Sequence, residues 1–207
     1  QLAAGGFISG VVLAEGGGPA AGAGVSFFES GGQYLGGTGA SSAGAYVSPA
    51  LPAGSYYVLT NNSGGFINEV YDNVACVSCP VTAGTLVSVT VGNTASGISF
   101  ALTPGGRVAG RITNADGGAG IPGVWVDFHD VTGSHVGSSS QSDAGGYYIA
   151  QIGMPTGTYY ASTNNNGAFV NEAYDNLPAT TDMSSRTPIA VTAGATTPDI
   201  NFQLAEG

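Results

Sequence analysis

The chain has 207 residues, 36 of them glycine, and only 8% are charged; three arginines, no lysine and 13 acidic residues give a formal net charge of −10. So acidic a surface repels phosphate, which excludes nucleic acid and anionic membranes as partners, and no apolar run approaches the ~18–20 residues of a membrane helix. Disorder is excluded as well, since 43% hydrophobic residues, with ten tyrosines and eight phenylalanines, supply material for cores.

Taken in order, the chain reads as strands, and no stretch of ten or more residues shows a helical period. The first strand turns Phe7, Ser9, Val11 and Leu13 outward, and the next turns Phe28 outward. After the turn Asn61-Asn62-Ser63-Gly64-Gly65, Val87, Val89 and Val91 alternate with Ser88 and Thr90, and Ile98, Phe100 and Leu102 with Ser99 and Ala101. Val108, Gly110 and Ile112 then alternate with Arg107, Ala109 and Arg111, and Val124, Val126 and Phe128 with Trp125, Asp127 and His129. Period-two patterning of this kind buries one face and solvates the other. Asp116-Gly117-Gly118 and Asp143-Ala144-Gly145-Gly146 supply further turns. Roughly seven short strands per ~100 residues predict antiparallel β-sandwiches.

The chain repeats itself. Leu51-Pro52-Ala53-Gly54-Ser55-Tyr56-Tyr57 returns as Met154-Pro155-Thr156-Gly157-Thr158-Tyr159-Tyr160, and Phe66-Ile67-Asn68-Glu69-Val70-Tyr71-Asp72-Asn73 as Phe169-Val170-Asn171-Glu172-Ala173-Tyr174-Asp175-Asn176. A period of about 102 residues makes each copy a whole domain rather than a solenoid unit. The expected domains are 3–102 and 107–205, joined by a short linker at 103–106. Residues 1–2 match the end of the first copy and are read as the tail of a preceding repeat, so that the chain is a window from a longer array.

The residues Gly110, Gly123-Val124, Ser142-Asp143-Ala144-Gly145, Tyr147, Pro155, Gly157 and Tyr159-Tyr160 resemble the carboxypeptidase regulatory-like domains. The first copy follows the pattern at Gly10, Gly24-Val25, Gly44, Tyr46, Pro52, Gly54, Tyr56 and Tyr57, with Ser42 where the second has Asp143. The resemblance implies two tandem transthyretin-like (prealbumin-like) Greek-key sandwiches, related in shape to collagen-adhesin B-type repeats. Many of those repeats are stiffened by a Lys–Asn isopeptide bond, which a chain without lysine cannot form. The family spans stalks, accessory domains and carbohydrate binders, so fold alone does not fix function.

Cys76-Val77-Ser78-Cys79 lies in no helical pattern that would lower a thiol pKa. The only histidines, His129 and His135, lie in the other copy, too far along the chain to complete an obvious zinc set. A small loop-closing disulfide is expected, and with it an oxidising compartment. His129 near a strand end and His135 in the following turn come with no nucleophile elbow or paired carboxylates, so no catalytic residues are assigned. Glu69, Asp72 and Asn73, with Glu172, Asp175 and Asn176, gather oxygen donors that could hold calcium. The competing reading makes Tyr71 and Tyr174 core anchors, with Asp and Asn building a turn. Trp125, on an outward phase, is the candidate for a glycan or partner contact.

In the second copy Arg107, Ala109, Arg111 and Thr113 stand where the first has Phe7, Ser9, Val11 and Leu13, and Asp127 is matched with Phe28. Phe7, Val11, Leu13 and Phe28 are therefore the candidate contacts to a neighbouring domain or copy. The favoured expectation is a non-catalytic structural repeat of a secreted or cell-surface bacterial protein, part of a fibre, stalk or adhesive array. The alternative is a carbohydrate-binding accessory module of a larger secreted enzyme.

Overall fold

The computed structural model of the chain describes residues 5–20 and 22–207; residues 1–2, expected to be the tail of a preceding repeat, lie outside them. The chain divides between Pro104 and Gly105 into two compact units. Unit one contains β1 (Phe7–Ala14), β2 (Gly24–Glu29), β3 (Tyr34–Gly39), β4 (Ala45–Val47), β5 (Gly54–Asn61), β6 (Glu69–Val70), β7 (Val74–Ala75), β8 (Val87–Val89), β9 (Thr94–Ala95) and β10 (Phe100–Leu102). Unit two repeats the order with β11 (Arg107–Asn114), β12 (Trp125–His129), β13 (His135–Ser138), β14 (Tyr147–Ile149), β15 (Gly157–Asn164), β16 (Glu172–Ala173), β17 (Leu177–Pro178), β18 (Ile189–Val191), β19 (Thr196–Thr197) and β20 (Phe202–Leu204). The helical content described is two 3₁₀ turns, Val81–Ala83 and Met183–Ser185.

Each unit is a sandwich. In unit one a sheet of order β10-β1-β4, with β9 also on β1, faces a sheet of order β3-β2-β5-β6-β7, with β8 also on β5. Ile8, Val12, Phe100 and Leu102 of the first sheet meet Val25, Phe27 and Val58 of the second in one buried cluster. In unit two Val108, Ile112, Phe202 and Leu204 meet Val126, Phe128 and Ala161 in the same way. The chain steps from one layer to the other between β3 and β4 and back before β5, a Greek-key crossing that places sequence neighbours in opposite sheets.

The sandwiches are not wholly antiparallel. β1 pairs in parallel with β9 and β10, and β11 with β19 and β20. Parallel neighbours need a long crossover, and the rest of each unit supplies it. Ten strands per unit replace the expected seven because several are two residues long, too short to show a period. Val91 does not extend its alternating run inward: β8 ends at Val89, the chain turns with Gly92 at φ 76°, and Val91 is 50% exposed. The residues expected as a linker are shared between the units. Thr103 O accepts from Ile67 N at 2.9 Å in unit one, while Gly106 exchanges backbone hydrogen bonds with Met154 at 2.7 and 2.9 Å in unit two.

Register also corrects the matching of the two copies. Gly24 pairs with Asn61 and Phe28 with Tyr57, as Trp125 pairs with Asn164 and His129 with Tyr160. Trp125 thus stands where unit one has Gly24, and His129, not Asp127, where it has Phe28. The partner of Gly123 is Gly22, both left-handed at φ 81° and 78°, rather than Gly24. The Gly-Val pair common to both copies draws the sequence match two residues out of step.

Candidate functional site

The repeated Asn-Glu-x-Tyr-Asp-Asn block forms the same corner twice. Glu69 N donates to Thr60 Oγ1 at 2.8 Å, and Glu172 N to Thr163 Oγ1 at 2.9 Å. Each short strand is thereby fixed with a glutamate carboxyl drawn in; Oε2 of both Glu69 and Glu172 is buried without a hydrogen-bond partner. Burial pushes both carboxyls above the ordinary glutamate range, and the charge of Asp72 adds to the effect on Glu69. Tyr71 and Tyr174 pack edge-on against Phe100 and Phe202, at 6.1 and 6.0 Å between ring centroids. Asp72-Asn73 and Asp175-Asn176 then turn at the surface, with both asparagines left-handed and each Nδ2 donating to the preceding aspartate, at 2.5 and 3.2 Å. The expected calcium donors are therefore divided between an interior carboxyl and an exposed turn. Among the described residues no three His, Cys, Asp or Glu side chains gather as a metal-holding group.

Cys76 and Cys79 form a disulfide. In unit two the matching loop is held differently: Arg186 donates from Nη2 to Ala179 O at 2.7 Å and from Nε to Thr181 O at 3.0 Å. This role of Arg186 has no signature in the sequence, since a guanidinium bound to backbone carbonyls leaves no motif.

His135 opens strand β13 rather than lying in a turn. Its ring meets that of His129 edge-on at 5.7 Å, and in unit one the same place holds the Phe28–Tyr34 pair at 5.5 Å. Desolvation lowers the His129 pKa, and neighbouring His135 and Arg186 lower it further. Phe28 is thus an outward residue that already has an aromatic partner on its own sheet.

On the outer side of the β1 sheet, Phe7, Val11 and Leu13 occupy the outward phase, between inward Ile8 and Val12. Val47, 55% exposed, lies opposite Ser9 on β4, and Ala45 opposite Val11. None of these side chains carries charge. The corresponding face of unit two holds Arg107 and Arg111, both bound to backbone: Arg107 Nε donates to Ala150 O at 2.7 Å and Arg111 Nε to Gly145 O at 2.8 Å. Arg111 also lies over the Tyr147 ring.

Trp125 lines a cavity of about 320 Å³ in unit two, formed where the loop before β12 meets the 165–169 turn and Gln141. Asn165 builds that turn: its Nδ2 donates to Phe169 O at 3.1 Å and Asn171 Oδ1 at 2.6 Å, while its Oδ1 accepts from Gly167 N at 3.0 Å. Neither Gln141 nor Asn166 belongs to a motif that the sequence singles out. The run Asn164-Asn165-Asn166 against Asn61-Asn62-Ser63 was the signal that the second turn carries an extra amide.

No family model matches the chain, and no curated protein matches it. Among solved structures it is similar to the Bacillus anthracis TIE protein, at 15% identity and a TM-score of 0.38, covering 98% of this chain and 34% of that one. A streptococcal ancillary pilin gives 13% identity and a TM-score of 0.43, over 97% and 62% of the two chains. The minor pilin of Streptococcus agalactiae gives 12% and 0.40, over 97% and 96%. The chain spans about a third of the first of these and under two thirds of the second. At such identities and TM-scores, the reading of function rests on the chain's own residues.

Proposed function

We propose that the chain is a non-catalytic structural segment of an extracellular or cell-surface protein, contributing to a fibre, stalk or adhesive array. The observation that carries this reading is the outer face of the β1 sheet, where Phe7, Val11, Leu13 and Val47 stand together without a charge. Scattered apolar residues are ordinary at a surface, whereas several on one sheet face favour a covered one. A contact between this face and a different patch on the next copy is heterologous and propagates. The disulfide supports an oxidising compartment.

Sedimentation and electron microscopy of the purified chain at rising concentration test the reading. Self-association is expected for the native sequence and its loss for Leu13→Asp, with the circular dichroism of the sandwich retained. A native chain that stays monomeric throughout, or a Leu13→Asp variant that assembles unchanged, overturns it.

A further inference from the structure

We infer that unit two carries a binding site for a neutral sugar, with a pyranose ring stacked on Trp125. The site goes beyond the structural role proposed above and stands or falls separately from it. Its wall is the partly buried indole of Trp125, with Pro122 and Phe169 beside it, in a cavity of about 320 Å³. That volume falls at the small end of ligand sites.

The rim holds unspent hydrogen-bonding capacity. Neither Trp125 Nε1 nor the exposed Asn166 amide has a partner among the described residues. Gln141 commits only Nε2, in a long 3.4 Å contact to Gly123 O, and keeps Oε1. Donors and acceptors thus border a flat apolar surface, the pattern needed by a ring with an apolar face and a hydroxylated edge.

Charge narrows the ligand class. No charged side chain lines the cavity, so an ion would lose hydration there without a counter-charge. Asp127, two residues along the strand and on the same face, is already engaged by Ser138 Oγ at 2.6 Å and Asn164 Nδ2 at 2.8 Å. The turn that presents Asn166 is fixed by Asn165, so the rim is built before any ligand arrives.

Unit one provides an internal contrast. Gly24 stands where unit two has Trp125, and Asn61 Oδ1 lies 2.1 Å from where a Cβ on Gly24 would be. Ser63 stands in place of Asn166. The aromatic face belongs to the second unit alone.

Trp125 is the single tryptophan of the chain, so its emission reads the site directly. The test is titration of the whole chain with cellohexaose, maltohexaose and chitohexaose. A saturable emission change with at least one of them is expected, at an apparent Kd of about 1 mM or tighter. Asn166→Ala should weaken that binding about five- to tenfold, and calorimetry should show none for Trp125→Ala. Trp125→Phe, which keeps a smaller aromatic face, should retain weakened binding and serves as the control for folding. The proposal is overturned by no saturable change with any of the three at the highest soluble concentration. Unaltered binding by Trp125→Ala, or a response to tetramethylammonium ion or sulfated dextran in place of the neutral sugars, overturns it equally.

Discussion

Gly10 and Gly110 show how much of this fold depends on single atoms. Tyr46 donates its hydroxyl to Ile98 O and Tyr148 to Ile200 O, both at 2.6 Å, latching the final crossing of each unit onto the first sheet. The same carbonyls would lie 1.8 and 1.9 Å from a Cβ placed on Gly10 and Gly110. Any side chain there drives the crossing segment away and breaks the latch. Gly10→Ala is therefore expected to destabilise unit one by roughly 2–4 kcal/mol, measured by denaturant unfolding. Tyr46→Phe, which leaves the buried carbonyl without that donor, should cost about 1–3 kcal/mol. Gly18→Ala is the contrast: nothing lies within 4 Å of the added Cβ and its φ is not left-handed, so the change should stay within ~0.5 kcal/mol. These glycines are visible in the sequence as motif positions, but the carbonyl that requires them belongs to the connection between the last two strands of each unit, about which local pattern around the glycine carries no information.

At the level of elements, what could be read in advance follows strand length. β1, β11 and β12 showed their buried and exposed phases directly because five to eight residues give a period time to repeat. The two-residue strands β6, β7, β9, β16, β17 and β19 offered none, and the parallel closure onto β1 is set by the crossover rather than by local composition. Trp125 was recognised as outward from its phase alone, whereas its cavity depended on loops brought together by the fold. The loop after β7 and its counterpart after β17 illustrate two chemistries for one task. A disulfide closing four residues restricts the unfolded chain little, while Arg186 holds its loop in the folded state through two carbonyls. Replacing Cys76 and Cys79 with alanine should cost well below the ~3 kcal/mol of a 15-residue loop and leave unit one folded. Arg186→Ala should free the 179–186 segment, raising its amide hydrogen exchange while the β12–β15 core stays protected. Unfolding of unit one on reduction, or unchanged exchange in 179–186, would contradict these assignments.

For the whole molecule the scarcity of charge shapes both proteolysis and pH response. Each of the three arginines is partly buried and gives its Nε to a backbone carbonyl, so trypsin has no loose basic side chain to engage. The native chain should survive conditions that cleave the urea-unfolded chain after Arg107, Arg111 and Arg186. The pH response should differ between units. The folded-state pKa of Glu69 is raised, chiefly by burial, so in the window above ~4.3, the unfolded value, the native state binds more protons than the unfolded chain. Stability then falls as pH rises through that window and is greater near pH 5 than near pH 7. Glu172 acts with the same sign in unit two, but His129, held below its ordinary value by burial, acts with the opposite one: its contribution is lost as pH falls below ~6.5. Unit one contains no histidine and lacks that offset. Lowering the pH from 7 to 5 should therefore stabilise unit one, read by hydrogen exchange at β5 and β8, more than unit two, read at β15 and β18. Glu69→Gln should flatten the response of unit one alone. Easing of the general repulsion from the net charge of −10 would persist in that variant, so an undiminished slope would assign the effect to overall charge instead of the buried carboxyl.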